Sequence, residues 1–263
     1  NCKFIRKCSS KPNERITKDD YTKTKSGHNS LLYALILGGL GIGGYYYYNS
    51  DITPNKILKY WFGKSLSPND KINKESFMRW YGSGKDIDDE IRNKFGDFMV
   101  ECLETDKYKH WENDPIGCLC LIIVADQFTR NVYRGTTKAF KYDKYAQNLC
   151  LKGMDKGFDD ILYVLHPVYV NFFYSPLSHS EDIMLQDLAL KKHTELLKRL
   201  KDDKNEYYYK IQTMTMQHVI EHRNLILQFG RFPHRNEILG RKSSQKELDI
   251  IEKLGLTKLV KRQ

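Results

Sequence analysis

A chain of 263 residues can bury a proper core without a metal or disulfide staple, and it carries 43 Lys or Arg against 33 Asp or Glu, a net +10. Half of that excess lies in residues 1–30, where eight Lys or Arg face Glu14, Asp19 and Asp20. The body is thus only mildly basic, and its charge argues against a nucleic-acid face. Cys2, Cys8, Cys102, Cys118, Cys120 and Cys150 form no C-x-x-C pair, so neither a disulfide framework nor a metal knuckle is expected.

Residues 1–30 are basic, rich in Ser, Thr, Lys and Asn, and lack an apolar period, which predicts a flexible arm. The chain opens at Asn1 rather than Met, and a segment upstream of it is expected. From Leu31 to Tyr48 the sequence LLYALILGGLGIGGYYYY holds eighteen residues without a charge. As a helix it would reach about 27 Å, enough for a thin bilayer, and its tyrosine run suits a membrane interface. A single transmembrane helix in contact with lipid is therefore expected, with Gly39 and Gly43 at a spacing that permits close helix contact. A basic arm before a short, moderately apolar span points to the mitochondrial inner membrane, the arm in the matrix and the body in the intermembrane space.

The body, residues 53–263, opens with Thr53-Pro54, an N-cap hydroxyl ahead of a first-turn proline, and the helix it predicts stops at Gly63. Residues 64–85 read as a polar connection. A second helix is expected from about Asp86, with Ile87, Ile91, Phe95, Phe98 and Cys102 at helical spacing. A third, 116–130, starts after Asp114-Pro115 and is apolar all round from Cys118 to Ala125, as an enclosed helix would be; a buried strand is the competing reading. A fourth is expected over 138–153. An aromatic stretch over 162–174 breaks at His166-Pro167, and Ser178-His179-Ser180-Glu181 reads as a capping box before a helix reaching about Leu200. A long helix from Glu206 to Phe229 and a short one near 245–254 complete an all-α pattern, an antiparallel bundle or a helical array.

The most site-like stretch follows the long helix: Phe229-Gly230-Arg231-Phe232-Pro233-His234-Arg235-Asn236 sets cations between aromatic rings at a rigid corner. Arg130, Arg134, His179, Arg231, His234, Arg235 and Arg241 together would form a pocket for phosphate or carboxylate, since guanidinium forks match such anions. Asp126, Gln127, Asn131, Glu181 and Asn236 lie in the same motifs as supporting polar groups, and the carboxylates offer the opposite outcome, an internally neutralised network. On the anion reading at least three of these cations should be unpaired. His218-Val-Ile-Glu221-His222 spells the inverted metallopeptidase pattern, but no third ligand is identifiable, and neither a metal nor another cofactor is expected. No nucleophile elbow supports a relay through Ser180, His179 and Glu181.

Four motifs in order, Tyr60-Trp61-Phe62-Gly63, the run from Asp126 to Thr136, the run from Tyr174 to Asp182, and the run from Phe229 to Arg241, resemble the family called domain of unknown function 924. The resemblance implies an all-helical fold similar to tetratricopeptide repeats and no established biochemical role. That family is mostly bacterial and soluble, and its pattern usually carries an acidic residue where Ser178 stands. The arm and apolar segment are additions to it. The expected function is accordingly a membrane-anchored scaffold, an accessory subunit of a mitochondrial inner-membrane complex without catalytic activity of its own. The alternative is an enzyme or small-molecule binder using the Arg/His corner on an anionic metabolite.

Overall fold

The computed structural model describes residues 52–82 and 84–255; the expected arm and membrane span lie outside the described residues. Among the described residues all regular structure is helical, and no helix is long and apolar enough to cross a membrane.

Helix α1, Pro54–Phe62, forms as its ends dictate: the Thr53 side chain accepts the Lys56 N–H, and Gly63 takes the left-handed conformation that a Cβ would disfavour. It buries Ile57, Leu58, Trp61 and Phe62. The connection expected after it contains a helix, α2, Lys74–Tyr81. It is only eight residues long, with a single turn of apolar spacing at Phe77, Trp80 and Tyr81; Asn73 caps it, and Trp80 fixes it by donating from Nε1 to the Trp61 carbonyl at 2.8 Å. Helix α3, Lys85–Glu104, turns Ile91, Phe95, Phe98 and Met99 inward.

The enclosed segment is helical throughout, not a strand. Helix α4, Pro115–Ile122, capped by Asp114, passes into a π-helical turn, Ile123–Phe128, and then α5, Thr129–Val132. Residues from Leu119 to Ala125 are 0% exposed, which explains the absence of a polar face. α4 packs against α1, α6 (Asp143–Asp155), α7 (Phe158–Leu165) and α8 (Pro167–Ser178), so it is the axis of the fold. The fourth expected helix begins later than its sequence suggests. A 3-10 turn, Thr137–Phe140, precedes α6, and Phe140 leaves the helical path to lie against Arg235.

The break between α7 and α8 is the predicted His166-Pro167, with His166 Nδ1 accepting the Val168 N–H at 3.2 Å. The expected capping box before α9, Ile183–Asp202, is absent. Asp182 caps that helix, because the Glu181 carboxylate is engaged elsewhere, by the Phe232 N–H at 2.8 Å and by Arg241. α10, Glu206–Phe229, pairs with α9 and closes at Gly230 in the left-handed conformation. α11, Gln245–Lys253, starts with a true capping box, Ser244 with Glu247.

Candidate functional site

The five arginines of the expected anion pocket are all ion-paired. Arg130 lies 3.0 Å from Asp126 and 2.9 Å from Asp143. Arg134 binds both oxygens of Asp88 at 2.7 and 2.8 Å and also donates to Asn131, whose own amide donates to the Gln127 carbonyl. Arg231 is bidentate on Glu247, and Arg241 is bidentate on Glu181. Arg235, 4% exposed, lies between the rings of Phe140 and Phe232 at 4.6 and 4.5 Å and reaches Asp143 at 3.4 Å. Burial and the neighbouring Arg130 lower its guanidinium pKa to about 10. Asn236 donates to Ser243 and Glu247, and His234 is buried against Phe232. The requirement of three unpaired cations is not met, and Asp88, Asp143 and Glu247 supply carboxylates that the motifs did not point to.

One part of the constellation does face open space. The π-helical turn brings Asp126 inward: the Thr129 N–H bonds to the Val124 carbonyl, five residues back, and the widened turn leaves the Asp126 side chain 0% exposed. His179, at the end of α8, sets Nδ1 2.8 and 3.0 Å from its two oxygens, Ser175 donates to it at 2.9 Å, and Gln127 donates at 2.5 Å. Burial alone would raise the Asp126 pKa. Arg130 and His179 outweigh that effect and hold the carboxyl below the ordinary carboxylate range. A charged Asp126 obliges His179 to carry a proton on Nδ1, which leaves Nε2 as the ring's other edge.

His179 lines a cavity of about 270 Å³ between α2, α8 and α10. Its apolar walls are Trp80, Tyr81, Phe172 and Val219, and its polar ones include Gln127, Asn171, Ser175, Ser178, His193, Thr215, His218 and His222. His222 lies with its ring 6.0 Å from that of His179, donates from Nδ1 to the Ser178 carbonyl at 3.0 Å, and rests against Phe232 at 5.1 Å. Burial first, and then His179 and His234, press its pKa well below the usual histidine value, so this ring is neutral near pH 7. His193 is likewise lowered by burial, to about 4.

An Asp–His pair with a free Nε2 edge at a cavity wall can take a proton from a bound donor or from water. Ser175 is not a nucleophile for it, since its hydroxyl binds the carboxylate or the Phe172 carbonyl. The H-x-x-E-H pair divides: both histidines line the cavity, but His222 is held at the Ser178 carbonyl, whereas His218 is largely exposed beside Glu221. Among the described residues no group of three His, Cys, Asp or Glu is arranged to hold a metal ion. Sequence reasoning placed Asp126 and His179 among the candidates, but assigned no site role to Trp80, Phe172, Ser175 or His193. The signal for the α10 wall was the stripe of Thr215, His218 and His222, which alone does not separate a cavity wall from a core face.

Among the described residues these features define an all-helical body with an aromatic, histidine-lined cavity beside a neutralised cationic corner. Residues 57–255 match the family described as bacterial protein of unknown function (DUF924), and the chain belongs to that family. A solved structure of a protein of unknown function from Agrobacterium tumefaciens is similar in fold, 26% identical with a TM-score of 0.60, over 76% of this chain and 97% of that one. A search of the curated proteins finds no match.

Proposed function

We propose that this protein is a membrane-anchored helical scaffold, an accessory structural subunit of a respiratory-type complex in the mitochondrial inner membrane. The segment from Leu31 to Tyr48 crosses the bilayer, the basic arm stays in the matrix, and the body, a tetratricopeptide-like array, faces the intermembrane space. The observation that carries this reading is the pairing of the cationic corner. Arg130, Arg134, Arg231, Arg235 and Arg241 spend their charge on Asp126, Asp143, Asp88, Glu247 and Glu181, so the residues most like a site hold the body together instead. The eighteen uncharged residues behind an arm of net +5 support the address. Solubilised in mild detergent, the native protein should run as part of a defined larger assembly and resist alkaline carbonate extraction. A clean monomer released by carbonate would refute both the role and the address.

The cavity favours a second reading, a small-molecule-binding protein or enzyme. Its centre is then Asp126–His179 and not the arginines, because His179 is the member of the expected set that lines open space while its Asp126 partner is buried.

A further inference from the structure

The α2–α8–α10 cavity has a polarity opposite to the one its basic neighbourhood suggests. Among the described residues no Lys, Arg, Asp or Glu lines it. The nearest charge behind the wall, Asp126, is cancelled by Arg130 at 3.0 Å. An ionic ligand would therefore lose water with no counter-charge in contact, which disfavours it.

The hydrogen-bond pattern of the walls is fixed by groups behind them. His179 and His222 both spend Nδ1–H, on the Asp126 carboxylate and on the Ser178 carbonyl, and the neutral His222 ring is left with a lone pair at Nε2. His193 is the reverse. The Gln212 amide donates to its Nδ1 at 2.9 Å, which puts its proton on Nε2. That Nε2 is buried and has no hydrogen-bond partner among the described residues, and the same is true of Ser178 Oγ on the same lining. A buried donor without a partner is costly enough to count as a sign of something that binds there. The apolar part of the wall is aromatic, with Trp80 edge-on to Phe172 at 4.8 Å.

We propose that this cavity binds an uncharged, planar molecule that carries both a hydrogen-bond donor and an acceptor, a carboxamide or heteroaromatic lactam. Its donor meets Nε2 of His222, its acceptor receives the His193 Nε2–H, and its ring lies against Trp80 and Phe172. The inference goes beyond the scaffold role and stands or falls independently of membrane anchoring. Where the bound donor is acidic enough, the Asp126–His179 pair is placed to remove its proton.

Three small probes of one shape and different charge test this on the full chain in mild detergent: benzamide, benzoate and benzylamine. Calorimetry and thermal stabilisation should show benzamide bound in the millimolar range, about tenfold or more tighter than either ion. Histidine-selective nitrogen NMR should show the imidazole Nε2 signals moving with benzamide. Thr215→Trp, which fills the cavity without touching the Asp126–His179 pair, should abolish the binding while leaving the melting temperature near that of the parent. His222→Leu should weaken it about tenfold. Tighter binding of benzoate or benzylamine, no binding of benzamide to the parent, or full retention by Thr215→Trp would each overturn the proposal. So would zinc ion alone binding at the cavity and excluding benzamide, since that would make the imidazole pair a metal site.

Discussion

Asp126→Asn isolates the one charge on which the geometry behind the cavity depends. The amide keeps the shape of the carboxylate but converts one oxygen, which accepts from His179, Ser175 or Gln127, into a donor facing other donors. It also deprives Arg130 of a partner 3.0 Å away. Removing one member of a buried ion pair costs about 3–5 kcal/mol, and Arg130 retains Asp143 at 2.9 Å, which places the loss at the lower end, about 3 kcal/mol. For a body of this size the urea m value is about 2–3 kcal/mol per molar, so the unfolding midpoint should fall by about 1 M. The sign of the pH dependence follows from the depressed folded-state pKa of Asp126. The stabilisation by the charge is fully present above the unfolded carboxyl value of about 3.9 and is lost as pH falls below it, so parent and variant should converge in acid. A midpoint within about 0.2 M of the parent at pH 7, or a gap that widens on acidification, would refute the claim that a buried carboxylate holds this corner.

Further outcomes rest on other parts of the molecule. Gly153→Ala should destabilise by about 1–3 kcal/mol in the same urea assay, because an added Cβ would come within 2.7 Å of Phe173 Cζ in a closed part of the core. Glu247, whose pKa Arg231, Ser244 and Asn236 lower to about 2, stabilises the α11 junction above the ordinary carboxylate range and progressively less as pH falls toward 2. Parent and Glu247→Gln should accordingly differ in melting temperature at pH 7 and converge in an acid series. Cys102, Cys118, Cys120 and Cys150 are buried free thiols, and burial raises the first two to about 12. Peptide mass spectrometry after mild alkylation at pH 8 should find all four unmodified until the body is unfolded.

Most of the fold was legible wherever a terminus carries its own chemistry. Thr53-Pro54 with Gly63 fixed α1, and Gly230 fixed the end of α10, since a hydroxyl cap, a first-turn proline and a left-handed glycine act locally. α2 escaped because it is short: Phe77, Trp80 and Tyr81 give only one turn of apolar spacing, and Trp80 holds it to a carbonyl of α1. The π turn escaped for a related reason, as a run buried on every side has no face whose drift would betray an extra residue. The candidate site was legible as a set of residues but not as partnerships. Asp126 and His179 are 53 positions apart, and Arg134 finds Asp88 46 positions away; no spacing rule reaches that far. The motifs suggested cations waiting for an anion, whereas tertiary structure had already supplied carboxylates from three other elements, Asp88 on α3, Asp143 on α6 and Glu247 on α11.

The cationic corner and the uncharged cavity are consequently two sides of one arrangement. Phe232, fixed by its N–H on Glu181 and by Arg241 on its carbonyl, presents its ring to His222. Arg235, over the same ring at 4.5 Å, adds to the positive surroundings that keep His222 unprotonated. The Glu181 carboxylate that anchors Phe232 lies two residues after His179, so the loop that positions one imidazole also holds the support of the other. Pairing the five arginines at the corner thus keeps their guanidiniums off the cavity wall, while burial and the residual positive surroundings keep His222 neutral beside it. Had any one of those guanidiniums faced the cavity unpaired, the pocket would select an anion, and the lone pairs at its wall would have no donor to meet.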